Sequence, residues 1–151
     1  MPKFPSAAWF EAVNRRVAED KEKFKLLGYV DADVGVKMDA NGAGTRSYVL
    51  EFRDYGVESV KETEDLAETD FTIEGSLAAW TEMVRNIKEH GEADLEHTLH
   101  RLTMAGVPLN LVAHDQLKAD IFYRFNQSFQ AFFNEAASVP TEFATNEGMR
   151  E

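Results

Sequence analysis

The chain has 151 residues, no cysteine and a net charge of −11, from 27 acidic and 16 basic side chains. The lack of cysteine excludes disulfides and thiolate chemistry, and the acidic balance argues against nucleic acid or an anionic bilayer as the main partner. No apolar run reaches the roughly 20 residues that span a membrane, and the N-terminus lacks the apolar segment of a signal peptide. We therefore expect a cytoplasmic domain without stable membrane insertion.

The first predicted element is a helix over residues 6–25. Trp9, Val13 and Val17 recur every four residues, which is the spacing of one helix face. Ser6 is suited to cap the start of this helix. The second half of the segment is mostly charged, so we expect it to lie in solvent.

The apolar period then changes to two, which indicates strands. Alternation over residues 30–38 and 47–53 predicts two strands, joined by an Asn-Gly turn within 39–42. A weaker third strand is predicted at 57–63 and a short fourth at 70–74. An acidic loop connects them.

Helical periodicity dominates the second half of the chain. Ser76 is suited to cap a helix that ends at Gly91, and residues 92–104 predict another helix. A fifth strand follows at 107–113. Because Pro108 has no N–H to donate, this strand is expected at an edge of the sheet.

The last predicted helix, residues 115–137, has the strongest apolar face in the chain. Five of the eleven phenylalanines of the chain lie in one twelve-residue stretch of this helix, residues 122–133. Asp115 is suited to cap its start. We expect Leu117 and Ile121 to hold this helix against the sheet. We expect three phenylalanines to contact a ligand: Phe125, Phe129 and Phe133.

This order of elements predicts an α+β fold. The sheet is expected to have five mostly antiparallel strands, with the helices packed on one face. Residues 1–137 are predicted to form a single domain. Residues 138–151 are predicted to form a flexible C-terminal tail.

Three passages together carry a family resemblance. They are the DYG turn at 54–56, the segment TDFTIEGS at 69–76, which runs into a helix, and GVPLNLVAHD at 106–115 before the last helix. In this order, over residues 5–137, they resemble the sterol carrier protein type 2 family of lipid-binding domains. Two features differ: His114 stands where a glycine is common, and the chain ends in MRE rather than the peroxisomal tripeptide of some relatives.

The resemblance implies an apolar tunnel between sheet and helices that binds a lipid, fatty acyl, sterol-like or hydrocarbon-derived molecule, with no metal or redox cofactor. An empty void of ~400 Å³ would cost on the order of 10 kcal/mol, so we expect the tunnel to be partly collapsed when empty or to hold a molecule carried from the cell. Simple core packing is the alternative for each wall residue. The predicted ligand-binding residues are Trp9, Trp80, Met83, Val84, Leu99, Leu102, Met104, Phe122, Phe125, Phe129, Phe132 and Phe133.

Two other classes of function stay open at this stage. The chain could be a small cone-shaped α+β enzyme, an isomerase, cyclase or hydrolase, that uses Asp94, His97 or Tyr123 in its pocket. Asp94, His97 and His100 could also bind a metal, although a polar surface helix explains their spacing equally well. In the third reading, the aromatic face at 129–133 docks on a partner enzyme or on a second copy of the chain.

Overall fold

A computed structural model describes residues 1–40 and 44–143 and confirms the α+β fold. Its elements, in chain order, are β1 (Lys3–Phe4), α1 (Ala7–Glu19), α2 (Lys21–Leu27), β2 (Ala32–Asp39), β3 (Thr45–Arg53), β4 (Gly56–Glu62), β5 (Phe71–Ser76), α3 (Leu77–His90), α4 (Leu99–Thr103), β6 (Leu109–Ala113), α5 (Gln116–Asn134), a 3-10 helix (Glu135–Ser138) and β7 (Glu142–Phe143). The Asn-Gly turn predicted after β2 lies outside the described residues.

The main sheet has the strand order β4–β3–β2–β5–β6. Strands β2 and β5 run parallel, and the other three pairings are antiparallel. This mixed arrangement confirms the predicted five-stranded, mostly antiparallel sheet. Strand β6 lies at an edge, as the missing donor of Pro108 predicts.

Alternation along the strands separates the two faces of this sheet. The outer face is polar and carries ion pairs such as Arg53 Nη2 to Asp33 Oδ1 at 2.8 Å. The inner face is buried beneath the helices, which therefore pack on one side as predicted. Its buried side chains are Ala32, Val34, Val36, Met38, Tyr48, Leu50, Phe52, Phe71 and Ile73.

The helix predicted over residues 6–25 is two helices. Ser6 caps α1 by accepting a hydrogen bond from the Trp9 N–H. The break falls at Asp20, whose dihedrals are φ −112° and ψ 37°. Aspartate competes with the helical backbone for hydrogen bonds and is unfavourable inside a helix. Helix α2 therefore forms a separate helix, and its buried residue is Phe24.

The helix predicted over residues 92–104 is reduced to α4. The Asp94 carboxylate accepts hydrogen bonds from the Glu96 N–H and from the Asn86 side chain, and these bonds hold a local turn where the helix was expected. Leu95 is consequently 86% exposed instead of buried. Helix α4 begins only where Thr98 caps it.

Helix α5 confirms the predicted Asp115 cap, which accepts from the Lys118 N–H. The prediction that Leu117 holds the helix against the sheet is wrong, because this side chain is 78% exposed. The buried stripe begins only at Phe122. The first turn is held instead by the cap and by an ion pair of 2.7 Å between Lys118 and Asp70.

The packed part of the chain continues beyond the predicted boundary at residue 137. Val139 is 2% exposed, and its carbonyl accepts a hydrogen bond of 2.6 Å from Lys88 Nζ. Strand β7 then pairs in parallel with β1, so the two termini of the described chain meet. Residues 138–143 therefore belong to the fold and not to a flexible tail; residues 144–151 lie outside the described part.

Candidate functional site

The space between α5 and the sheet is filled by aromatic rings. The centroid of the Phe129 ring lies 5.0 Å from that of Phe52, 5.3 Å from that of Phe71 and 6.3 Å from that of Phe122. The Phe132 ring also reaches Phe52, at 5.6 Å. Most of these pairs meet edge to face, a favourable arrangement for aromatic side chains. The rings predicted to line a tunnel are therefore in contact with one another and with the sheet.

A second aromatic cluster surrounds Phe133 near the end of α5. Its ring centroid lies 5.7 Å from that of Trp80 and 6.5 Å from that of Trp9. Both indole N–H groups are used within the fold: Trp9 donates to Thr141 Oγ1 and Trp80 donates to the Lys37 carbonyl. These hydrogen bonds satisfy both indole N–H groups and fix the orientation of the two rings in the core.

The interior gathers most of the predicted ligand-binding residues. Phe125 is half-buried against the core at a kink in α5, where its dihedrals are φ −114° and ψ 19°. Met104 lies apart: it is 59% exposed, because α4 ends at Thr103. The other ten are buried: Trp9, Trp80, Met83, Val84, Leu99, Leu102, Phe122, Phe129, Phe132 and Phe133.

Open clefts flank α2 on two sides. One, of about 570 Å³, separates α2 from α4 and α5, with Leu27 and Ala131 in its walls. The other, of about 580 Å³, lies between the α1–α2 segment and the β3–β4 turn, next to Lys21 and Tyr55. Both volumes fall in the range of small-molecule sites.

Helix α2 is a short helix of 7 residues that covers one side of the interior. It places one buried side chain, Phe24, above a small void of about 10 Å³ whose wall includes Phe52, Ser128 and Phe132. It begins at the non-helical Asp20 and is followed by a glycine with φ of 106°. Lifting α2 would expose rings that pack directly on the sheet.

Two polar side chains that line the 570 Å³ cleft, Gln130 and Asn134, form hydrogen bonds that hold the fold together. Gln130 Oε1 accepts from the Leu99 N–H at 2.6 Å, and Asn134 Oδ1 accepts from the Ala93 N–H at 3.1 Å. Gln130 Nε2 also donates to Asn134 Oδ1. These amides fix α4 and the loop before it to α5.

Glu135, directly after α5, differs from these amides. Its Oε1 atom is buried and has no hydrogen-bond partner within the described part of the chain. The ammonium of Lys23 on α2 is 4.0 Å away. Burial, reinforced by the nearby Asp20 carboxylate and opposed by Lys23, raises the pKa of Glu135 to about 7.

The polar residues considered for enzymatic or metal chemistry lie at the surface. His97 Nδ1 is 2.7 Å from Asp94 Oδ1, which raises the pKa of the imidazole and lowers that of the carboxyl. His100 is exposed and lies against Tyr123, with 6.5 Å between ring centroids. Across residues 1–40 and 44–143, no three histidine or acidic side chains are grouped to hold a metal ion.

The aromatic face at 129–133 is not free to dock on a partner. Phe129, Phe132 and Phe133 are between 0% and 2% exposed, because the sheet and α1 already cover them. The prediction of an interaction surface at this face is therefore wrong. The regularly spaced phenylalanines that suggested an unpartnered face pack into the core of the fold.

Two features of the site were missed from the sequence: the separate helix α2 and the partly buried Glu135. Glu135 follows Phe132 by three residues, and Phe132 follows Ser128 by four, so all three share one side of the helix. The sequence signal for this burial was that Glu135 continues the buried stripe of Ser128 and Phe132. It was overlooked because a charged residue at a helix end is more often solvated.

The fold thus defines a class: a small α+β domain in which one face of a mixed sheet and several helices enclose an aromatic interior. No family model matches the sequence, and no curated protein matches it either. In the part that the structure describes, none of the helices combines the length and the apolar character needed to cross a membrane.

Solved structures do match this fold. A crystal structure of sterol carrier protein 2 has a TM-score of 0.71 at 20% identity, covering 91% of this chain and 100% of the other. The solution structure of a conserved hypothetical protein from Thermus thermophilus, a candidate sterol carrier protein, has a TM-score of 0.64 at 20% identity, covering 93% and 94%. The apo form of sterol carrier protein 2 from Yarrowia lipolytica has a TM-score of 0.51 at 16% identity, covering 91% and 96%. The resemblance in sequence is therefore confirmed for the fold.

Proposed function

We propose that the chain binds an apolar small molecule, a lipid, fatty acyl, sterol-like or hydrocarbon-derived compound, between α5 and the sheet. The observation that carries this proposal is the broad aromatic face of α5, which α2 covers at one side with a single buried side chain, Phe24. The fold shared with sterol carrier protein 2 structures supports the same ligand class.

In this proposal the ligand enters beneath α2 and takes the place of ring-to-ring contacts. The empty protein keeps its rings together because an open void would be costly, at about 24 cal/mol per Å³. The ten buried residues predicted from the sequence, with Phe125, then become the wall of the occupied site. Phe24 and Phe132 line the same small void, so a ligand that enters beneath α2 has a short path to the interior rings.

We propose a carrier in the cytoplasm and not an enzyme. The ionisable groups considered for catalysis, Asp94, His97 and Tyr123, lie on the surface and not among the interior rings. Binding and release by apolar contacts need no chemical step.

Ligand binding should raise the melting temperature of delipidated protein. At a free ligand concentration of about 100 times Kd, the native state gains about 2.7 kcal/mol. For a domain of this size we expect a shift of roughly 5–10 °C. Differential scanning fluorimetry with long-chain and polycyclic ligands measures it, and native mass spectrometry of freshly purified protein tests for a co-purified molecule. The absence of any shift with both ligand types would contradict the proposal.

Loosening α2 should accelerate ligand exchange. In Phe24→Ala the only buried side chain of this helix is removed, so we expect the ligand to leave at least about tenfold faster, an effect of at least about 1.4 kcal/mol on the barrier. Stopped-flow transfer of a fluorescent lipid to acceptor vesicles measures the rate. Leu26→Ala is the matched control on the same helix, since Leu26 is 90% exposed. Equal exchange rates in the two folded variants would exclude this path.

A further inference from the structure

Two consecutive residues of α2 face an apolar and a polar side chain next to α5. Phe24 and Phe132 line the same small void. The Nζ atom of Lys23, the residue before Phe24, lies 4.0 Å from Glu135 Oε1. Phe132 and Glu135 are three residues apart on one helix side, so an apolar body beside Phe132 would place its end near the Glu135 carboxyl.

One carboxylate oxygen of Glu135 has no hydrogen-bond donor among the described residues, while the carboxyl group as a whole hydrogen-bonds the Asp20 side chain. That oxygen, Oε1, is buried and lacks a hydrogen-bond partner within residues 1–40 and 44–143. Lys23 Nζ lies at the limit of ion pairing, 4.0 Å from Glu135 and 3.9 Å from Asp20. A buried acceptor without a donor is unfavourable, so a ligand that supplies a donor gains by binding there.

The other charged groups around this position have partners of their own. Arg16 of α1 donates to Glu19 at 3.1 Å. Lys88 of α3 donates to the Val139 carbonyl at 2.6 Å and to the Ala136 carbonyl at 3.4 Å. Lys23, which is half-exposed, is therefore the main positive charge beside Asp20 and Glu135. Two carboxyl groups face one ammonium group, so the position is acidic.

We propose that Glu135 accepts a hydrogen bond from the polar end of the apolar ligand, and that this end is a hydroxyl group and not a carboxylate. The inference rests on the proposed function, since it assigns the head group of the molecule bound in the same site. It makes Glu135 a residue that determines specificity.

The physical basis is the difference between a donor and an anion at an acidic, buried position. A hydroxyl donates to the Glu135 carboxylate, and hydrogen bonds to ionised acceptors are the stronger kind. A carboxylate cannot donate, and it brings a third negative charge beside Asp20 and Glu135 in a partly desolvated place. We expect the alcohol to bind at least about tenfold more tightly than the acid of equal length.

The test compares two matched ligand pairs at mildly alkaline pH, where Glu135 is ionised. One pair is dodecanol and dodecanoate, and the other is a sterol with a free hydroxyl and its hemisuccinate. Affinities are measured by isothermal titration calorimetry for the wild type, Glu135→Gln and Glu22→Gln. Glu22 is the control: it carries the same charge on α2 but is 87% exposed and paired with Lys25.

The wild type and Glu22→Gln should prefer the alcohol at least tenfold, and Glu135→Gln should reduce the ratio to about one, because its amide can donate to the acid. Taking the ratio within each variant removes effects on overall stability. If alcohol and acid bind equally well to the wild type, or if Glu135→Gln keeps the preference, the assignment of the head group is overturned while the proposed function stands. If no member of either pair binds, the proposed function itself fails.

Discussion

Replacing Phe129 by alanine should lower the free energy of unfolding by about 3–5 kcal/mol, the cost of removing a large ring from a packed core. Phe129 is 1% exposed, and its ring lies between Phe52 and Phe71 of the sheet. The loss would remove much of the stability of a typical domain, which totals about 5–15 kcal/mol. Urea denaturation followed by circular dichroism measures the difference.

Leu117→Ala is the matched control on the same helix. Leu117 is 78% exposed and held by no core contact, so its loss should change the free energy of unfolding by no more than about 0.5 kcal/mol. Both residues belong to one apolar repeat in the sequence. Similar losses for the two variants would show that α5 packs differently from the structure described above.

Features governed by neighbouring residues could be predicted from the sequence. Alternation set the inner faces of the strands, and the side chains of Ser6, Ser76 and Asp115 cap helices as expected. Each depends on contacts within a few residues, so composition and spacing suffice. The fifth strand was placed at the sheet edge for an equally local reason, the missing N–H of Pro108.

Features governed by distant residues could not be predicted. The turn at Asp94 depends on Asn86, which lies eight residues earlier in another element. Val139 is ordered because Lys88 donates to its carbonyl, 51 residues away. Neither contact leaves a pattern in its own segment, so the helix at 92–104 and the tail boundary at 138 were wrong.

The candidate site could be predicted from the sequence only in part. Periodicity identified ten side chains that are buried, but burial is the same signal for a core residue and for a ligand wall, so their contact with a ligand stays a prediction. Met104 was predicted to line the same volume, but it lies just after the last residue of α4 and is 59% exposed. Glu135 was missed because burial of a charged residue depends on how α2 folds back over α5.

Glu135→Gln should stabilise the protein at alkaline pH and have little effect at acidic pH. The carboxyl has its ordinary pKa of 4.5 when unfolded and a pKa of about 7 in the fold, so folding favours the protonated form. Its stability contribution is fully present below the unfolded pKa and is lost as pH rises through the folded pKa. At about 1.36 kcal/mol per pKa unit, the loss is at most ~3 kcal/mol.

Denaturation of the wild type and Glu135→Gln at about pH 4, below the unfolded pKa, and at about pH 8 measures this difference. Glutamine is uncharged at both values and imitates the protonated acid, so the variant should gain roughly 1–3 kcal/mol over the wild type at the higher pH only. Carboxyls that do not contact Glu135 titrate alike in both proteins and cancel. Glu22→Gln, which removes an exposed charge from α2, should show no such pH-dependent gain. An equal difference between wild type and Glu135→Gln at both pH values would mean that the carboxyl is solvated, and that α2 does not close over the end of α5.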